Sequence, residues 1–170
     1  MKKHIPNLIT CCNLLCGVLG IIYCFDSFEW LPIDSYQLGW LSPALFVWVA
    51  SVFDFLDGMA ARLLKVSSAI GKELDSLADA VTFGVLPSVF MYKQMEVYGG
   101  GWLPYVALLV AVFSVVRLAI FNIDLAQSDG FKGVPTPANS LFLTGLPFAT
   151  QVVPFEWGQL SLAIICMVSS

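Results

Sequence analysis

Apolar residues run along the chain in long blocks, broken by short polar clusters. A helix needs ~20 largely apolar residues to cross the hydrocarbon of a bilayer. Six blocks come near that length, at about 8–25, 41–64, 72–94, 102–123, 137–154 and 157–170. The connections between them carry Pro, Gly or charge: "DSFEWLPIDSYQLG", "KVSSAIG", "EVYGGG", "DLAQSDGFKGVPTP" and "FEWGQ". No internal repeat and no low-complexity stretch interrupts the pattern. It predicts an all-α integral membrane protein of six transmembrane helices, forming one domain over residues 1–170. Pro87 is expected to kink the third helix. The first block follows two lysines, but it is long for a signal peptide and no A-x-A-like cleavage site follows, so it reads as a retained first span.

Composition agrees. The chain is 58% hydrophobic and 12% charged, with a mean hydropathy of +0.83; soluble domains carry roughly 25% charged residues. The placement of charge sets the orientation. With the N-terminus cytoplasmic, the inner side receives Lys2, Lys3, Arg62, Lys65, Lys72, Arg117 and Lys132, and the outer side only Lys93. Cytoplasmic loops carry the excess of Lys and Arg, so the chain reads as a multi-pass protein of the inner (plasma) membrane with a cytoplasmic N-terminus. Trp30, Trp40, Trp102 and Trp157 then fall near the outer boundary, as an aromatic belt. Scattered basic residues without a stripe exclude nucleic acid as a partner. The five cysteines have neither CxxC nor zinc spacing and read as small buried hydrophobes. His4, beside two lysines, reads as a surface residue.

One stretch departs from the pattern. "DFLDGMAARLLKVSSAIGKELDSLAD", residues 54–79, lies between two apolar blocks and carries five acids. At about 100° per residue, Asp54, Asp57, Gly58, Ala61, Arg62 and Lys65 share one face of a helix. Asp75 and Asp79 share a face of the next, with Gly71 below and Thr82 above. Four neighbouring carboxylates near the cytoplasmic boundary repel one another unless divalent cations sit among them, and carboxylate oxygens suit magnesium, manganese or calcium. Magnesium is commonly shared between protein carboxylates and substrate phosphate, and a pair of ions suits displacement at phosphorus. Small residues let a bulky group approach the backbone, and Arg62 and Lys65 can neutralise phosphate oxygens. Taken singly, Gly58 and Ala61 also suit a close helix contact, Arg62 and Lys65 also suit cytoplasmic anchors, and either cation could pair with Asp54 or Asp57. Acids inside a membrane are functional by default, and four at matched spacing favour a diphosphate site.

Read as D-x2-D-G-x2-A-R-x8-G-x3-D-x3-D, the stretch resembles the signature of the CDP-alcohol phosphotransferases, matching at Asp54, Asp57, Gly58, Ala61, Arg62, Gly71, Asp75 and Asp79. The resemblance implies six core transmembrane helices, a polar active-site cavity open to the cytoplasm, a homodimer, and transfer of a phosphatidyl-type group from a CDP-linked donor to an alcohol with release of CMP. It implies two divalent ions, magnesium or manganese with calcium as a possible occupant, held by Asp54, Asp57, Asp75 and Asp79. Asp79 is implied also to be the catalytic base toward the acceptor hydroxyl. Gly58, Ala61, Arg62, Lys65 and Gly71 would take the CDP-lipid.

Two further stretches bear on the acceptor. "IPNLITCCNLLCG" resembles the first helix of the family's phosphatidylserine synthases, which adds Asn7 and Thr10 as donor contacts. "RLAIFN" with "FKGVPTPANS" resembles a motif pair of the same group, departing from it at Ile120 and at "PANS". Arg117 is a cation within the fourth block, and an amino-acid acceptor needs a cation for its carboxylate, which an Arg fork suits. Asn122 can add a hydrogen bond. Arg117 could instead snorkel and pair with Asp124, and Lys132 could mark topology alone. The expected substrates are CDP-diacylglycerol and L-serine, with Arg117, Asn122 and Lys132 holding serine. The alternatives are glycerol 3-phosphate or an inositol phosphate as acceptor, and a divalent-cation carrier. An intramembrane prenyltransferase would need a longer chain with more spans.

Overall fold

The structure is a computed structural model that describes residues 4–25, 41–66, 68–97, 101–123 and 135–150. The sixth expected span, Lys132, Asp124 and the tryptophans at 30, 40 and 157 lie outside the described residues. Helices α1 (Ile5–Phe25), α2 (Leu41–Leu64), α3 (Ala69–Asp79), α4 (Leu86–Val97), α5 (Leu108–Ile123) and α6 (Thr136–Thr150) follow one another. A π-helical stretch, Ala80–Val85, joins α3 to α4, and a 3-10 turn, Leu103–Ala107, leads into α5. Four runs are long and apolar enough to cross a membrane: Ile5–Phe25, Pro43–Leu64, Ala69–Glu96 and Leu103–Ile123.

The first helix shows how these sequences pack. The residues α1 buries are Pro6, Thr10, Asn13, Gly17, Gly20 and Tyr23, three or four apart on one face. Leu8, Leu15, Val18 and Ile22 point outward. A soluble helix buries its apolar stripe; here small and polar side chains face the protein, as in membrane helix packing, where close backbone approach and hydrogen bonds replace hydrophobic exclusion. Gly17 illustrates the approach: a Cβ there would come within 3.0 Å of the Thr82 Cα. Pro6 is tolerated because its missing N–H falls in the first turn, where no intrahelical acceptor exists.

Helix α1 lies along α2 and also contacts α3, the π stretch and α4, while α2 and α3 barely touch each other. Two apolar clusters close the rest. Val47, Ala50, Phe83 and Leu86 pack below α1. Phe90, Met91, Met95, Ala107, Val110 and Leu143 join α4, α5 and α6.

Three local features differ from the sequence expectation. Helix α2 stops at Leu64, so Lys65 does not continue its acidic face. Val66 N–H donates to the Ala61 carbonyl and Lys65 N–H to that of Arg62, while Lys65 takes a φ of 51°. This is a Schellman cap with lysine in the left-handed position usually held by glycine. The third span begins at Ala69 rather than 72, because Ser68 in extended conformation accepts the Gly71 N–H and caps the helix. The irregularity expected at Pro87 takes the form of the π stretch just before it, in which Leu86 N–H reaches back to the Val81 carbonyl.

Candidate active site

Near its C-terminal end α2 presents Asp54 and Asp57, and α3 presents Asp75 and Asp79 about one turn apart. Helix α3 begins at Ala69, soon after α2 ends at Leu64, and the fold brings the two pairs together. One carboxylate oxygen from each of Asp54, Asp57 and Asp75 lies within 4.8 Å of the others. Asp79 falls outside that trio. It is buried and faces Asp54 from one turn deeper.

Helix α1 braces both pairs. The Thr10 hydroxyl donates to Asp57 Oδ2 at 2.6 Å, and Asn13 Nδ2 donates to Asp79 Oδ1 at 3.2 Å. Asp75 Oδ1 is buried without a hydrogen-bond partner among the described residues. Three convergent carboxylates, one with an oxygen that no donor among the described residues satisfies, fit a hard divalent cation.

A cavity of about 250 Å³ opens beside the acids, lined by Asn7, Thr10, Asp57, Gly58, Ala61 and Asp75, and at its mouth by Ser68, Gly71 and Lys72. A second recess, about 430 Å³, runs along the outer side of α2 past Asp54, Phe55, Gly58, Met59, Arg62 and Leu63. Gly58 belongs to both, and a Cβ built on it meets nothing within 4 Å. Its small size therefore leaves open space instead of relieving a helix contact. Gly71 is different: a Cβ there would sit 2.9 Å from Ser68 Oγ and 3.0 Å from Asn7 Oδ1. Asn7 thus lies against the N-terminus of α3.

Of the residues the sequence singled out, Asp54, Asp57, Asp75, Asn7, Thr10, Gly58, Ala61, Arg62 and Gly71 line these two recesses, while Asp79 lines neither and is held by Asn13. Lys65 is exposed on its cap and lines neither of them. Arg117 is half-buried on α5, with no hydrogen bond or ion pair among the described residues. Asn122 reaches the acid-bearing helix, donating from Nδ2 to Ser76 Oγ at 2.8 Å, next to Asp75. Three site residues escaped the sequence reading. Asn13 lies one turn beyond Thr10 on the same face, a spacing that was available. Lys72 is marked in the sequence only as a charge on the cytoplasmic side, and Ser68 is a capping residue that also borders the cavity.

The sequence profile of the CDP-alcohol phosphatidyltransferase family matches residues 3–169. The CDP-diacylglycerol–serine O-phosphatidyltransferase of Bacillus subtilis is 36% identical over 98% of this chain and 88% of that protein. The proteins of the same name from Helicobacter pylori and Mycobacterium tuberculosis are 38% and 43% identical over 81% and 84% of the chain. The chain spans about half the length of these last two, 54% and 48%.

Proposed function

The chain belongs to the CDP-alcohol phosphatidyltransferase family, and from that premise we propose that it transfers the phosphatidyl group of CDP-diacylglycerol to L-serine, releasing CMP. The observation that carries this reading is the convergence of Asp54, Asp57 and Asp75 beside a cavity floored by Gly58 and Ala61. The names of the similar proteins supply the substrates.

In this reading the cytidine nucleotide lies over Gly58 and Ala61, between α1 and α2. Lys72 and Arg62 flank the acids from the two recesses and suit the two phosphates of the donor. The diacylglycerol half follows the apolar side of α2 past Phe55, Met59 and Leu63 into the bilayer. The serine hydroxyl attacks the phosphorus that bears diacylglycerol; a new O–P bond forms, the bond to CMP breaks, and the hydroxyl proton passes to Asp79. Asp54, Asp57 and Asp75 would hold the divalent metal, magnesium or manganese, which when bound offsets charge developing on the phosphate oxygens. A second ion, and Asp79 as a further ligand, rest on the family resemblance, as does a homodimer. The basic asymmetry of the loops supports a cytoplasmic N-terminus, a cavity open to the cytoplasm and residence in the plasma membrane. The apolar block at 157–170 supports a sixth span.

Arg117 and Asn122 hold the serine, with Lys132 from the following loop. The Asn122 bond beside Asp75 supports this placement on α5. The test is CMP release from CDP-diacylglycerol with labelled serine, glycerol 3-phosphate and inositol phosphate in parallel. Serine alone should be incorporated. Arg117→Ala should raise the KM for serine by about one to two orders of magnitude, since a charge-assisted hydrogen bond contributes ~1.5–3 kcal/mol, with donor affinity unchanged. Equal loss of both substrates would move Arg117 to the diphosphate or the fold.

A further inference from the structure

Asn13 has no part in the reaction as written above, yet it is fully buried at the crossing of α1 over the acid-bearing span. Its side chain donates to Asp79, and its backbone carbonyl accepts the Thr82 hydroxyl at 3.3 Å. Positions 79 and 82 bracket the start of the π stretch. With Gly17 flush against Thr82 one turn further along α1, these two bonds fix the register of the helices at Asp79.

The chemistry of the amide says which bond matters. A carboxylate oxygen only accepts, so the nitrogen end of Asn13 must face Asp79. An amide serving simply to join helices would be bonded at both ends, because a buried carbonyl without a donor costs free energy. Asn13 Oδ1 has no hydrogen-bond partner among the described residues. Only the donor end is engaged, and it is directed at Asp79. Asn13 does not line the cavity, so it reaches the reaction only through that carboxylate. One turn earlier on the same face, Thr10 makes the equivalent bond to Asp57.

We propose that Asn13 is a positioning residue of the transfer: it holds one oxygen of Asp79 so that the other is presented to the acceptor hydroxyl. The proposal rests on the reading of Asp79 as the base. Outer partners of metal-site side chains commonly carry about 10- to 100-fold in activity or metal affinity when removed, and the proposal says which of the two is lost here. An untethered Asp79 samples other rotamers, so turnover falls while both substrates and the cation still bind.

The experiment compares wild type with Asn13→Leu, which keeps the same branched heavy-atom shape without a donor, and with Asn13→Gln, which keeps a donor on a longer arm. Three quantities are read: kcat and the two KM values for CMP release, Mn²⁺ affinity by isothermal titration, and the melting temperature in detergent. The expected result is a fall in kcat of about 10- to 100-fold for Asn13→Leu, with KM values, Mn²⁺ affinity and melting temperature held, and partial recovery in Asn13→Gln. Wild-type turnover in Asn13→Leu would overturn the proposal. So would a loss of Mn²⁺ affinity parallel to kcat, which would assign Asn13 to the cation. A lowered melting temperature and altered KM in both variants would assign it to helix packing. A wild type that releases no CMP with any alcohol would instead overturn the functional reading, and this proposal with it.

Discussion

Single atoms decide most of what this site can do. The trio of Asp54, Asp57 and Asp75 is isosteric with asparagine at each position, so Asp→Asn changes the charge and ligand strength with little change in shape. Each substitution should lower CMP release by at least ~10²–10³-fold, the scale on which removal of one electrostatic stabiliser acts, and chelation of divalent ions should do the same to the unaltered protein. A folded variant with near-normal turnover would sink the metal assignment. Gly58 makes the opposite kind of test. Because a Cβ there meets nothing within 4 Å, Gly58→Leu should insert and fold normally while filling both recesses. Steric intrusion of ~1–3 kcal/mol predicts a KM for CDP-diacylglycerol raised about tenfold or more, at unchanged melting temperature. Normal donor affinity in that variant would show that the nucleotide lies elsewhere. At this scale the signature acids could be read from the sequence because partners three and four apart on a helix face together whatever the rest of the chain does. Asn13 could not be paired in the same way: its partner is 66 residues away, and only the crossing of α1 over α3 brings them together.

Among elements, the ends and interruptions of helices carry the surprises. The apolar block ends at 64, as α2 does, but nothing in the sequence marks the cap, because its left-handed residue is Lys65, not glycine. Helical phase then carried the lysine onto a face it never joins. A side chain in that conformation costs roughly 1–2 kcal/mol, so Lys65→Gly should stabilise the protein by about 1 kcal/mol, seen as a higher melting temperature. The same variant reports on function. If donor KM is unchanged, Lys65 serves the turn and the cytoplasmic charge asymmetry; a raised donor KM would return it to the diphosphate despite its place outside both recesses. The π stretch left no recognisable mark either. "AVTFGV" reads as ordinary apolar helix, and Pro87 announced an irregularity without its form. By contrast Ser68, three residues before Gly71, is a capping signal that the apolar count had passed over in favour of a later start.

For the whole molecule, the apolar blocks located four spans to within a few residues, since span length is set by the bilayer and not by tertiary detail. Orientation is testable directly. In a variant whose native cysteines are replaced, Ser68→Cys at the exposed mouth of the cavity should be labelled by a membrane-impermeant maleimide in inside-out vesicles and spared in right-side-out ones. The reverse pattern would invert the topology and move the cavity to the outer face. The bracing of both acid pairs by α1 has one more consequence, in the timing of synthesis. Every side chain that holds or orients the acids, from Thr10 to Asp79, is translated within the first half of the 170 residues. Chains emerge N-terminus first at ~5–20 residues per second. The segment bearing the acids therefore meets a first helix already waiting in the membrane with its hydroxyl and amide donors in place, and Asp57 and Asp79 need never enter the bilayer without a donor.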